Sequence, residues 1–131
     1  MGKMKTFFVM VSLALPVQAG TLTLAPQPGE EQVYQFATCA GRFSALMEHQ
    51  WLVDGPASDQ TAVIVANMSA LVQAVLTEGQ GRRALAWRIE AKAAQRALLM
   101  QADFGADIPL RQRAQARTEV LLGACRALLL G

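Results

Sequence analysis

The pair of cysteines is the sequence feature that most constrains the fold. Cys39 and Cys125 are the only cysteines of the 131-residue chain and lie 86 residues apart. An exported chain with two cysteines is expected to form one intramolecular disulfide, which here would join the start of the folded region to its end. An intermolecular bridge and free thiols in a reducing compartment are the alternatives. The spacing excludes a CxxC redox motif and a CxxCH haem attachment.

The first nineteen residues have the pattern of a cleaved secretory signal peptide. Lys3 and Lys5 form a positive start, residues 6–15 are an apolar segment, and residues 17–19 (VQA) place small residues where signal peptidase cleaves. We therefore predict export to the periplasm or secretion, with residues 1–19 removed. The apolar segment is too short to span a membrane as a retained anchor, so we expect no transmembrane segment in the mature chain.

The rest of the chain is predicted to be an extended arm, residues 20–30, followed by a helical domain, residues 31–131. The arm contains Pro26, Pro28 and Gly29, which disfavour a continuous helix. The domain is 53% apolar by whole-chain composition but poor in aromatic residues, and it lacks the alternating β-branched runs of strands. Its apolar periodicity and its breaks predict four helices, at residues 31–53, 59–78, 82–103 and from 108 onward.

Apolar residues at spacings of three and four give each helix a face that we expect to point inward. In helix one this face is Phe36, Ala40, Phe43, Met47 and Trp51. In helix three it is Leu85, Ile89, Ala93, Ala97 and Met100. Helix two is almost uncharged and apolar on two faces, so we expect it to be the most buried of the four.

The short connections predict an all-α, antiparallel up-down-up-down four-helix bundle. In that arrangement helices two and three are neighbours, and helices one and four are adjacent. Cys39 near the start of helix one and Cys125 near the end of helix four then lie at the same end of the bundle. The predicted disulfide and the predicted bundle are therefore consistent with each other.

Residues able to carry chemistry are scarce. His49 is the single histidine, and we expect it on the surface near the end of helix one. Hydrolases built on a nucleophile and a base usually need a histidine, and zinc sites usually need several histidines or cysteines. No glycine-rich phosphate loop is present. We predict no catalytic residue, no metal site and no cofactor. The alternative is a bundle that carries haem or an apolar ligand between its helices, for which His49, Met68 and Met100 are weak candidates, since methionine commonly fills gaps in cores.

Charge is unevenly distributed along the chain. Loss of Lys3 and Lys5 with the signal peptide leaves a nearly neutral protein, which has no general attraction to nucleic acid or anionic lipid. Residues 20–79 contain one basic and six acidic residues, whereas residues 80–131 contain nine basic and four acidic ones. We expect the two halves to pack with complementary fields. The alternative is that the basic half faces an acidic partner or lipid headgroups.

Taken together, the sequence favours a non-enzymatic exported protein that binds another periplasmic or envelope protein, or serves as an accessory or structural subunit. A homodimer is compatible with the same features. No partner is expected among nucleic acids, because the mature chain carries little net charge.

Overall fold

The computed structural model describes residues 25–131, which form four α-helices and contain no β-strand. The helices are α1 (Glu31–Val53), α2 (Gly55–Val75), α3 (Gly81–Phe104) and α4 (Ile108–Leu130). The predicted all-α four-helix fold is thus confirmed. The predicted signal peptide, residues 1–19, and residues 20–24 of the predicted arm lie outside the described residues.

The second helix begins four residues earlier than predicted. Asp54 accepts a hydrogen bond from the Ala57 backbone nitrogen at 3.3 Å, and Pro56 lies in the first turn, where its missing N–H costs nothing. In the sequence the pair Gly55-Pro56 is typical of a loop, but in the structure it begins a helix. Asp107 caps α4 in the same way and accepts a hydrogen bond from the Leu110 nitrogen at 2.8 Å.

The direction of the chain alternates from helix to helix. α1 and α3 run parallel to each other. Glu30 pairs with Arg83 at the starts of the two helices, and His49 contacts Asp103 near their ends. α3 and α4 are antiparallel, since Gln115, early in α4, donates a hydrogen bond to the Ala102 carbonyl late in α3. A single residue separates α1 from α2, so the chain reverses there. The predicted up-down-up-down order is observed.

The choice of neighbours differs from the prediction. α1 lies at the centre and packs extensively on both α3 and α2, whereas α2 and α3 touch at few positions. The most closely packed pair is therefore α1 and α3. In a square up-down-up-down bundle these two parallel helices would lie diagonally opposite each other. Gly41 is the physical reason, because a β-carbon at this position would overlap the backbone of Arg88 in α3. Without a side chain there, the two helix backbones come into direct contact.

Two core clusters meet on α1. The first surrounds the Cys39–Cys125 disulfide, whose Cα atoms are 5.4 Å apart, and contains Phe43, Met68 and Leu122. The second is centred on Trp87, whose ring packs edge-on against Tyr34 with centroids 5.3 Å apart. Because α1 contributes to both clusters, it is the most buried helix. The prediction that helix two would be the most buried helix is wrong.

The predicted inward stripe of helix three faces solvent instead. Leu85 is 56% exposed, Ile89 58% and Met100 41%, and the two alanines between them are exposed as well. The buried face consists of Ala84, Trp87, Gln95, Leu99 and Ala102. Both faces are apolar at helical spacing, and the one that carries Trp87 packs against α1, because a buried tryptophan contributes more apolar area than any residue of the other face. Trp51, assigned to the inward face of helix one, is also exposed.

Candidate functional site

The exposed face of α3 is a shallow, open apolar surface. Ile89, Ala93, Ala97 and Met100 line a depression of about 470 Å³, with Lys92 and Arg96 also lining it. We call this surface the α3 groove. It consists of most of the stripe that the sequence indicates for helix three, so the amphipathic signal was right and its assignment to the core was wrong.

The groove continues onto the end of α1. A second depression of about 300 Å³ shares Arg96 and Met100 with the first and is also lined by Trp51 and Leu52. Both of these α1 side chains are largely exposed. Scattered exposed apolar residues are ordinary, but a contiguous apolar patch on a protein surface is typical of an interaction site. The shared lining residues make this patch contiguous.

The shape of the groove suits an α-helix. Ala93 and Ala97 lie one turn apart in its middle, and larger side chains, Ile89 and Met100, lie on either side of them. Small residues at a helix crossing let a second backbone approach closely, while the larger residues pack around it. A helix laid along a groove of this kind is a recurring mode of protein recognition.

The two cations beside the groove differ in whether a carboxylate pairs with them. Lys92 pairs with Glu48 of α1, with the Lys92 Nζ and Glu48 Oε1 atoms 2.5 Å apart. Arg96 has no carboxylate within ion-pair distance among residues 25–131. The groove therefore offers an apolar floor and one cation that a carboxylate brought by another molecule can pair with.

His49 is buried, which corrects the expectation of a surface residue. The side chain is hydrogen-bonded to Asp103 of α3, with 2.5 Å between the His49 Nε2 and Asp103 Oδ2 atoms. The centroid of its ring lies 5.9 Å from that of Phe104. Since a carboxylate oxygen only accepts, Nε2–H is the donor. The parallel packing of α1 on α3 causes this burial, because it brings the last turns of the two helices together.

The three weak ligand candidates do not share one site. His49 and Met100 both line the depression at the end of α1, but Met68 is fully buried in the disulfide cluster. Its neighbours there are apolar side chains, and it fills the space between α1, α2 and α4 as methionine commonly does. Within residues 25–131 no group of three or more His, Cys, Asp or Glu side chains is arranged to hold a metal ion.

Several arginines of the second half of the chain serve in packing. Arg83 pairs with Glu30 at 3.0 Å and lies 5.0 Å above the Trp87 ring. Arg88 donates hydrogen bonds to the hydroxyls of Ser44 and Ser69, each at 3.3 Å. Together with the Lys92–Glu48 pair, these contacts join the basic half to the acidic half, as the charge distribution suggests.

No family model, no curated protein and no solved structure matches the chain. Within the described part of the chain, no helix has both the length and the apolar character needed to cross a membrane.

Proposed function

We propose that this protein is an exported, non-enzymatic helical protein that binds another periplasmic or envelope protein through the α3 groove. The observation that carries the proposal is the contiguous apolar row on α3, at helical spacing, that no other helix of residues 25–131 covers. Exposed apolar surface of this kind is unfavourable in water and gains free energy when another protein covers it.

The chemistry of the groove favours an amphipathic helix with an acidic side chain as the partner. The apolar face of such a helix would lie over Ala93 and Ala97, where the backbone can approach most closely. A carboxylate at its edge would pair with Arg96, which lacks a carboxylate partner among the described residues. Trp51 and Leu52 would then pack against the end of the docked helix.

A second copy of the chain fits the groove less well. Two α3 helices paired about a two-fold axis near Ala93 and Ala97 would bring Lys92 and Arg96 of both copies together. Glu48 compensates one of these charges in each copy, and the others repel. A homodimer through this groove is therefore disfavoured on electrostatic grounds.

Two features support the exported and non-enzymatic parts of the proposal. Residues 1–19 carry the signal pattern, and the disulfide of Cys39 with Cys125 is a bond that persists in oxidising compartments. The single histidine, the side chain most used in general acid–base catalysis, is held inside the bundle by Asp103.

The test is site-specific photo-crosslinking in cells that export the full chain. A benzoylphenylalanine replaces Ile89 in the groove, and the matched control carries it at Val120, an exposed residue of α4. We expect one discrete heterologous adduct from position 89 and none from position 120. Mass spectrometry then identifies the partner and the crosslinked helix.

A charge placed in the groove provides the second arm of the test. Ala93→Glu should abolish the adduct while leaving helix content and the disulfide unchanged, because position 93 is exposed. The purified partner should bind the wild-type protein and lose affinity for this variant. Equal adducts from positions 89 and 120 would show that the groove is not a binding site, and an adduct with the chain itself would assign the surface to a dimer.

A further inference from the structure

A separate cleft lies among α1, α3 and α4. It has a volume of about 510 Å³. Most of its lining consists of apolar side chains of α3 and α4, and Arg42 of α1 and Arg117 of α4 also line it. The volume falls within the range of small-molecule sites, and so does the combination of a mostly apolar lining with a few polar groups.

Arg42 is a half-buried cation without a counter-ion. Among residues 25–131 no carboxylate lies within ion-pair distance of it, and its Nη1 atom donates to the disulfide sulfur of Cys125 at 3.6 Å, a weak acceptor. Burial lowers the pKa of Arg42, Tyr34 counteracts this, and the positive charge of Arg117 lowers it further. The guanidinium still stays charged at neutral pH, so an anion would relieve both its desolvation and its repulsion from Arg117.

Gln95 supplies an independent indication that the cleft can bind a polar group. Its side chain is 1% exposed and lines the same cleft. The Nε2 atom donates to the Thr118 hydroxyl at 3.4 Å, but the buried Oε1 atom has no hydrogen-bond partner. Buried polar atoms in folded proteins are nearly always paired. Rotating the amide by a half-turn would keep the Thr118 contact, because a hydroxyl can also donate, and would place the Nε2 donor where the unpartnered Oε1 atom now lies.

The remaining lining of the cleft is apolar. Ala91 and Ala94 of α3 form one wall, and Leu98 and Leu121 lie beside Arg117. An adjoining depression of about 330 Å³ shares Arg42, Ala91 and Ala94 with the cleft and is also lined by Glu90, whose carboxylate would repel an anion there. The cleft therefore combines two cations, Arg42 and Arg117, with a lining of alanine and leucine side chains.

We propose that this cleft binds a small carboxylate with an apolar body, of the size of a medium-chain fatty acid. The carboxylate lies between Arg42 and Arg117, where two guanidinium groups can each donate hydrogen bonds to it. Gln95 donates the remaining hydrogen bond in its rotated orientation. The hydrocarbon covers the alanine wall and the two leucines. This site is distinct from the α3 groove and does not depend on the function proposed for that groove.

The test is isothermal titration calorimetry of the disulfide-bonded protein with octanoate. Two further titrations separate the features of the ligand: 1-octanol has the apolar body without the charge, and acetate has the charge without the body. We expect saturable binding of octanoate, and affinities at least about tenfold weaker for each of the other two. Absence of octanoate binding, or equal binding of octanol, would overturn the proposal.

Variants locate the binding at the cleft. Arg42→Met should weaken octanoate binding at least about tenfold, because the charge-assisted hydrogen bonds are lost. Arg117→Met, at an exposed position of α4 where folding is not at risk, should weaken it in the same direction. The matched control is Arg82→Met, an exposed arginine that does not line the cleft and should leave the affinity unchanged. Unchanged affinity in both cleft variants would show that octanoate binds elsewhere.

Discussion

The α-carbon of Gly41 in α1 lies directly against the main chain of Arg88 in α3. A β-carbon at position 41 would overlap the Arg88 carbonyl oxygen and would lie 3.0 Å from the Lys92 nitrogen, with backbone rather than a flexible side chain in the way. This contact brings the parallel helices α1 and α3 together and so makes α1 the central helix. It also places Glu48 beside Lys92 and His49 beside Asp103.

Gly41→Ala is expected to destabilise the protein although alanine favours helices. The added methyl group must push α1 away from α3, and overpacking of this kind costs about 2 kcal/mol. For a domain of this size the midpoint of thermal unfolding should fall by about 10 °C. Circular dichroism during thermal unfolding measures the change.

The matched control is Gly123→Ala in α4. Gly123 is exposed, and a β-carbon there would meet no atom within 4 Å. Here only helix propensity acts, so the variant should gain about 0.5–1 kcal/mol. If Gly41→Ala stabilised the protein as Gly123→Ala does, the close approach of α1 and α3 would be refuted.

Breaking the disulfide should cost a large part of the stability. Cys39 and Cys125 close a loop with a sequence separation of 86, and the chain-entropy estimate for such a loop is about 4 kcal/mol. Apart from this bond α4 has few contacts with α1, so its last turns should loosen most. Urea unfolding of the oxidised and reduced protein gives the free energy, and hydrogen exchange gives the location.

A double variant, Cys39→Ala with Cys125→Ala, separates the bond from the effects of the reductant. It should match the reduced wild-type protein in unfolding midpoint and should be insensitive to reductant. Faster amide exchange is expected in the last turns of α4 and not in α2, which the disulfide does not cross-link. Uniform loosening of all four helices would contradict this local effect.

The number of helices and their order could be predicted because they depend on local signals, and the cysteine pairing could be predicted because the chain has only two cysteines. Asp107 before Ile108-Pro109 indicates a helix start, and helical apolar spacing indicates the elements. Which face of α3 turns inward could not be predicted in the same way. Both faces are apolar, and the decision depends on how Trp87 packs against Tyr34 of another helix. The role of Gly41 is equally non-local, since it depends on the backbone of α3.

Alanine substitutions at Trp87 and Ile89 test the orientation of α3. Trp87 is 1% exposed, and its truncation should cost about 3–5 kcal/mol. Ile89 is 58% exposed, and its truncation should change the stability by no more than about 0.5 kcal/mol. Urea unfolding measures both. If the alanine substitution at Ile89 cost more stability than the one at Trp87, the predicted stripe of helix three would belong to the core and the α3 groove would not exist.

The burial of His49 was missed because nothing in the local sequence signals it. The segment around it, Glu48-His49-Gln50, is polar and reads as a helix surface. Its partner Asp103 lies 54 residues further along the chain and reaches it only because α1 and α3 are parallel and in close contact. Interactions of this kind depend on tertiary packing that periodicity does not encode.

Removing the partner of His49 should destabilise the bundle. Asp103→Ala leaves the buried Nε2–H donor without an acceptor, which costs about 1–3 kcal/mol. Glu119→Ala, which removes an exposed carboxylate from α4, is the matched control and should change the stability by no more than about 0.5 kcal/mol. A double-mutant cycle with His49→Phe isolates the pair, because Asp103→Ala should cost less once no buried donor remains. Additive effects of the two substitutions would show that the contact between the two side chains contributes nothing.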